Sequence, residues 1–395
     1  MSQGKRKQSD QDHDTQSDCS QEPSKTMKLP APPRFGIHPL SKYRLPFPRF
    51  SEPKEMISFS YDSVRKQHMD DRELKYYHAP VLDPAPSLFD GFEKQIRRDS
   101  SINEHIDGLL TALLHLPKET VADTDFVMYR GMLTRLFVTP YSLRDSWSMN
   151  ATKVGHTIYI EDNVTQDTIE KRQGSSQQHE KLMYGGYRFE SLCVLDKPAS
   201  QSTDQDLAAR LDTTVNTHSE YCSVFRTKLG NHSIISGAEI DCVDGEKPNE
   251  FPSRMYRELK TANLLDNARK QESFDRFKLL KFWAQSFIAG IPMVTVGYRD
   301  SDGILRHVED IRTQDMPRRV RGRRSMWEAN VCMNFADQIL SLIKETVKEQ
   351  GPETQYRIEY CPQTQEIGIE LLNAQKPFLT AEFIASGHYN NKLNK

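Results

Sequence analysis

After a polar opening stretch, apolar residues start to recur at Phe35. Ile57-Ser58-Phe59-Ser60-Tyr61 alternates with period two, as a strand with one buried face does. Asn103 to Leu116 reads as a helix, and Phe126 to Pro140 as strand, turn and strand around Arg130-Gly131. Three further strand candidates are Met183 to Leu195, Ile234 to Val243 and Met255 to Ala262. Phe274 to Ala289 carries apolar residues at 277, 280, 284 and 287, a helical period that Gly290 and Pro292 terminate. Val294, Val296 and Tyr298 then alternate with Thr295, Gly297 and Arg299; Asp302-Gly303 supplies a turn before Ile304 to Glu309, which predicts a hairpin. Met326 to Val347 is an amphipathic helix with Val331, Phe335, Ile339 and Leu342 on one face, ended by Gly351-Pro352. Tyr356 to Tyr360 and Ile367 to Leu371 predict a second hairpin. The polar stretches Val164 to Gln178 and Asp196 to Asp206 read as flexible inserts.

Residues 1–33 are rich in Ser, Gln, Asp and Pro, the composition of a disordered tail. Lys5-Arg6-Lys7 within it is either a weak nuclear-import signal or solvated charge. Residues 34–380 are expected to form one catalytic domain, and 381–395 a polar C-terminal tail. On length alone, the 395 residues allow one large α/β domain or two smaller ones. A formal charge of −2 excludes a histone-like polycation, so contact with nucleic acid needs a local basic surface. The six cysteines are scattered without a C-x-x-C pair, which points to a reducing compartment. No signal-peptide pattern and no run of roughly 20 apolar residues is found, so a soluble, intracellular protein without a membrane partner is expected.

Candidate chemistry gathers on three segments: Glu190, then Glu239-Ile240-Asp241, then Glu258-Leu259-Lys260. On strands, Glu239 and Asp241 share a face, as do Glu258 and Lys260. Asp241 and Glu258 lie 17 residues apart, a spacing that suits neighbouring strands joined by a loop. Like charges about 4 Å apart repel by roughly 4 kcal/mol per pair at an effective dielectric near 20, and one lysine does not neutralise four carboxylates. An all-oxygen cluster of this kind favours Mg²⁺ or Mn²⁺ over zinc. Glu190, Asp241 and Glu258 are the expected metal ligands, with Lys260 stabilising charge that develops on phosphorus. Gln285 stands out in the apolar run Phe282 to Phe287; it is either a site residue or a core amide satisfied by backbone. Arg130 is either a phosphate clamp or a surface ion-pair partner. For the basic run Pro317 to Arg324, an RNA backbone, solvent and a partner protein all stay open.

Taken in order, Arg130-Gly131, Gly186-Tyr187-Arg188-Phe189-Glu190, Glu239-Ile240-Asp241, Glu258-Leu259-Lys260 and Phe282-Trp283-Ala284-Gln285-Ser286 resemble the signature motifs of the DXO-type decapping nucleases. Leu88-Phe89-Asp90-Gly91-Phe92 adds to the likeness, which covers about residues 35 to 375 and looks most like the fungal nuclear branch. The resemblance implies an α/β fold of two mixed β-sheets flanked by helices, similar to the D-(D/E)xK nuclease core. It implies Mg²⁺ or Mn²⁺ held by Glu190, Asp241, Glu258 and the Leu259 carbonyl, with Glu239 acting through a second ion or bound water. Lys260 and Gln285 would position the nucleophile, and Arg130, Glu190, Lys260 and Gln285 would contact substrate. The implied activity is hydrolysis at RNA 5′ ends bearing a triphosphate, an incomplete cap or an NAD cap, leaving a 5′-monophosphate. The implied partner is the nuclear 5′-to-3′ exoribonuclease, and the implied location the nucleus. The alternative is a mainly non-catalytic protein that stabilises that exoribonuclease.

Overall fold

In a computed structural model of the chain, the described residues are 33–388, apart from 166–168, 171–173, 175 and 374. The tail with Lys5-Arg6-Lys7 and residues 389–395 lie outside them. Two mixed sheets organise the fold. The larger has ten strands, and at its middle Phe126–Tyr129 pairs in parallel with both His232–Glu239 and Thr157–Asp162. His232–Glu239 is buried along nearly its whole length, which is why it reads as a near-continuous small and apolar run rather than an alternation. The smaller sheet has six strands; Tyr256–Asn263 sits inside it, antiparallel to Cys242–Val243 and parallel to Met293–Arg299. Leu305–Arg312 closes the predicted hairpin on Met293–Arg299.

Helix Arg130–Val138 packs on both Leu279–Ala289 and Ala329–Thr346, and the three share one apolar core with both sheets. Phe137, Trp283, Phe335 and Ile339 meet Phe126, Ile234, Val294 and Val296 there. Gly290 ends its helix in the left-handed conformation, φ 71°, where a side chain would be strained.

Four expectations need correction. Phe126 to Pro140 is strand followed by helix, because Arg130 opens Arg130–Val138 instead of a turn. Met183 to Leu195 is no strand: Gln177–Leu192 is a helix, started where Ser176 accepts the His179 N–H, and it buries Tyr184, Arg188, Phe189 and Leu192. Those positions follow the helical period, but Gly185-Gly186 and the Tyr187/Phe189 alternation obscure it. The insert Asp196 to Asp206 runs into a helix, Asp204–Ala209, opened by a Thr203/Asp206 capping box. Within the expected C-terminal tail, Ala381–Ser386 is helical and Phe383 is buried edge-on to Tyr159, ring centroids 5.5 Å apart. Of the expected insert Val164 to Gln178, residues 166–168, 171–173 and 175 lie outside the described residues, and Gln177 and Gln178 already belong to the helix Gln177–Leu192. Cys193, Cys222, Cys242, Cys332 and Cys361 are free thiols. Among the described residues no helix is long and apolar enough to cross a membrane.

Candidate active site

The chain leaves the ten-stranded sheet at Glu239 and joins the six-stranded one at Cys242, so Ile240-Asp241 bridges the two sheets. The Ile240 N–H donates to the Tyr221 carbonyl at 2.9 Å, and its side chain is buried. Glu239 and Asp241, one residue to either side, both line a cleft, as alternation requires. Cys242 pairs with Arg257, so the antiparallel register brings Asp241 beside Glu258-Leu259. There an Asp241 carboxylate oxygen accepts the Leu259 N–H at 2.6 Å.

Glu258 is 1% exposed and holds two cations. Arg130 Nη1 donates to its Oε2 at 2.9 Å, and Lys260 Nζ lies 2.6 Å from its Oε1 and 3.7 Å from Asp241 Oδ2. Burial works against ionising Glu258, but Arg130 and Lys260 outweigh it and hold the carboxyl down at about 2. Burial likewise opposes the Lys260 charge, and Glu258, Asp241 and Glu190 overcome it and raise its pKa. Arg130 is therefore an ion-pair partner here, to a buried site carboxylate rather than a surface one.

Glu190 reaches the cleft from the helix Gln177–Leu192, with Tyr187 one turn earlier. That helix lies close against the smaller sheet: a Cβ on Gly297 would stand 2.5 Å from the Phe189 ring, so glycine is required there. Arg188 anchors the other side by donating to the Thr213 carbonyl at 3.1 Å. The cavity, about 310 Å³, is lined by Glu190, Glu239 and Asp241 together. Burial, then Asp241 and Glu239, push Glu190 well above the carboxylate range. Burial, then the charge of Glu258, lift Asp241 to about 6 against the pull of Lys260. Glu239 is pushed up to about 8 by desolvation in the cleft and by the charges of Glu220 and Asp241, against the pull of Lys260 and Arg130.

Gln285 lies on Leu279–Ala289, half-buried, with no side-chain hydrogen bond among the described residues, so it is not a core amide satisfied by backbone. Its helix packs on the one that Arg130 opens. Pattern reading misses Glu220, which lines the cleft, and the cations that hold it. Arg65 Nη1 is 2.7 Å from Glu220 and Arg65 Nη2 is 2.8 Å from Glu104, while the guanidinium lies 3.9 Å over the Tyr61 ring. Arg65 takes a left-handed φ of 69° to do so. No local motif marks these residues, because their partners are far away in the chain.

The donor set fits a hard divalent cation. Four carboxyl groups, Glu190, Glu239, Asp241 and Glu258, meet only two cations, Arg130 and Lys260, and every candidate ligand is oxygen. Among the described residues no three His, Cys, Asp or Glu side chains already form a ready-made metal cage. The reason is visible in Glu258, whose oxygens face Arg130 and Lys260, and in the mutual repulsion that raises the others.

A family model described as RAI1-like PD-(D/E)XK nuclease matches residues 51–384. The chain belongs to that family. It is therefore a nuclease-type hydrolase, and Glu258-Leu259-Lys260 has the (D/E)XK form that the family's description names. It is 36% identical over 338 residues to the decapping and exoribonuclease protein of Xenopus laevis, covering 82% of each chain. Identity is also 36%, over 326 residues, to the decapping nuclease RAI1 of Aspergillus fumigatus, covering 80% of this chain and 88% of that one. The crystal structure of Candida albicans Rai1 in complex with pU5-Mn²⁺ matches with a TM-score of 0.81 at 23% identity, over 89% of this chain and 98% of that one. At that identity the likeness speaks for the fold.

Proposed function

We propose that this protein is an Mg²⁺- or Mn²⁺-dependent decapping enzyme for RNA 5′ ends. Its substrates are 5′-triphosphate RNA, cleaved to pyrophosphate, incompletely capped RNA, cleaved to the cap dinucleotide, and NAD-capped RNA; each leaves a 5′-monophosphate. The observation that carries the reading is the meeting of Asp241, Glu258, Lys260 and Arg130 at the junction of two sheets, beside the cleft lined by Glu190 and Glu239. Glu190, Asp241, Glu258 and the Leu259 carbonyl are assigned to the metal. When bound, a divalent cation supplies charge stabilisation at the phosphoryl oxygens and lowers the pKa of water.

The chain's own residues do the rest. Lys260, kept protonated by its acidic neighbours, donates toward negative charge building on phosphorus. Arg130 is half-buried and preorganised at the helix start, and its fork geometry suits a phosphate as well as Glu258. Glu239, open to the cleft, orients the attacking water, and Gln285 has an amide free to hold it. The test is pyrophosphate release from triphosphorylated RNA in Mn²⁺ by a folded Glu239→Ala/Asp241→Ala variant. A fall of at least about 10²-fold is expected, the scale for losing a charge-stabilising group; wild-type turnover would remove the assignment.

The monophosphate end suits a 5′-to-3′ exoribonuclease, and we place the protein with that partner in the nucleus. Lys5-Arg6-Lys7 supports the location. A fluorescent protein fused to residues 1–33 that fails to enter nuclei would count against it.

A further inference from the structure

A second depression, about 1420 Å³, shares no lining residue with the acidic cleft. Its floor is a run of stacked rings. Phe50 and Phe287 have centroids 4.6 Å apart, Phe287 and Trp283 5.2 Å, and Trp283 and Trp327 5.1 Å. The two tryptophans are buried beneath, Phe50 and Phe287 are half-buried, and Phe47 at the edge is 64% exposed. One wall is the basic run that the proposed hydrolysis leaves without a role.

That wall is built rather than loose. Arg323 Nη1 is 2.6 Å from Oδ2 of the buried Asp275, whose carbonyl accepts the Trp327 Nε1–H at 2.9 Å. The backbone turns through left-handed conformations at Gly322, φ 75°, and at Ser325, φ 63°, the latter a conformation that a residue with a side chain rarely adopts. Arg321 and Arg324, to either side of the anchored Arg323, are exposed and have no carboxylate partner among the described residues. The lining contains a single carboxylate, Glu328, which Arg44 already engages at 2.8 Å.

We infer that this groove is a docking surface for an extended acidic peptide segment of another protein, one that inserts a large apolar side chain between Phe47 and Phe287. Charge complementarity selects the sign: uncompensated arginines over an apolar floor favour carboxylates at the rim and a hydrophobic anchor at the centre. Single-stranded RNA fits less well, because the tryptophan faces are covered and the phosphates of a strand would be desolvated against the rings.

The experiment selects random twelve-residue peptides displayed on phage against the full-length protein, with Arg321→Glu/Arg324→Glu as counter-target. Both substitutions are exposed and outside the hydrolytic site, so RNA hydrolysis by the variant should match wild type and report its folding. Expected are peptides rich in Asp and Glu with one or two large apolar residues. Their affinity should fall at least tenfold on the charge-reversed protein and severalfold on Phe47→Ala. Ten-nucleotide oligouridylate should fail to displace them. No enrichment over the counter-target, selected peptides without acids, or displacement by oligouridylate would each overturn the proposal, the last pointing to nucleic acid.

Discussion

Two halves of one acidic constellation behave in opposite ways. Glu258, on the floor, is the more deeply buried, yet its carboxyl is held down at about 2 by Arg130 and Lys260. Glu239, on the cleft wall, is exposed, yet it is pushed up to about 8, with Glu220 and Asp241 as its like-charged neighbours. Burial alone would order them the other way. The difference lies in the partner: the floor is neutralised by the chain itself, whereas the wall carboxyls lack enough cations of the chain and hold protons that a cation from solution would displace.

The contrast is broken most severely by Glu258→Gln. It leaves the half-buried Arg130 and Lys260 facing a buried amide and is expected to cost about 3 kcal/mol in urea unfolding; an unmoved midpoint would show that the floor is not a coupled pair. Next in size, Mn²⁺ at a hundred times its Kd should raise the unfolding free energy by about 2.7 kcal/mol. In Glu239→Gln/Asp241→Asn that gain should vanish from the thermal melt, and its persistence would place the ion elsewhere.

The smallest effect is a drift with pH. Asp241 near 6 and Glu239 near 8 lie above their ordinary values of 3.8 and 4.5, so the native state holds protons that the unfolded chain has released. These two groups therefore make stability decline as pH rises from about 4 to about 8, and Glu190, raised as well, acts in the same direction. Glu258 runs the other way, its contribution being lost only as pH falls from about 4.5 through about 2. Melts in chelator from pH 4.5 to 8.5 should show the decline in wild type and a weaker one in Glu239→Gln, whose own effect on stability stays within about 0.5 kcal/mol. A rise with pH in both would contradict the picture of an under-neutralised wall.

The hairpin at Met293–Arg299 and Leu305–Arg312 and the helices Leu279–Ala289 and Ala329–Thr346 were legible because their period and their Gly and Pro stops are local signals. So was the neighbourhood of Asp241 and Glu258, since a short loop between two strand-like segments favours pairing. The helix carrying Glu190 is not legible in the sequence, because Gly185-Gly186 carries no helical preference of its own.

What the sequence by itself determined was the donor set: oxygen ligands, a lysine two residues beyond a glutamate, and a motif order specific enough to point to a family. What only the tertiary structure decided was charge state and pairing. Arg130 and Glu258 lie 128 positions apart, and Arg65 and Glu220 are comparably remote. Contacts of that range depend on how two sheets and three helices close on one core, and Coulomb interactions follow distance in space and local dielectric, neither of which is written in neighbouring residues.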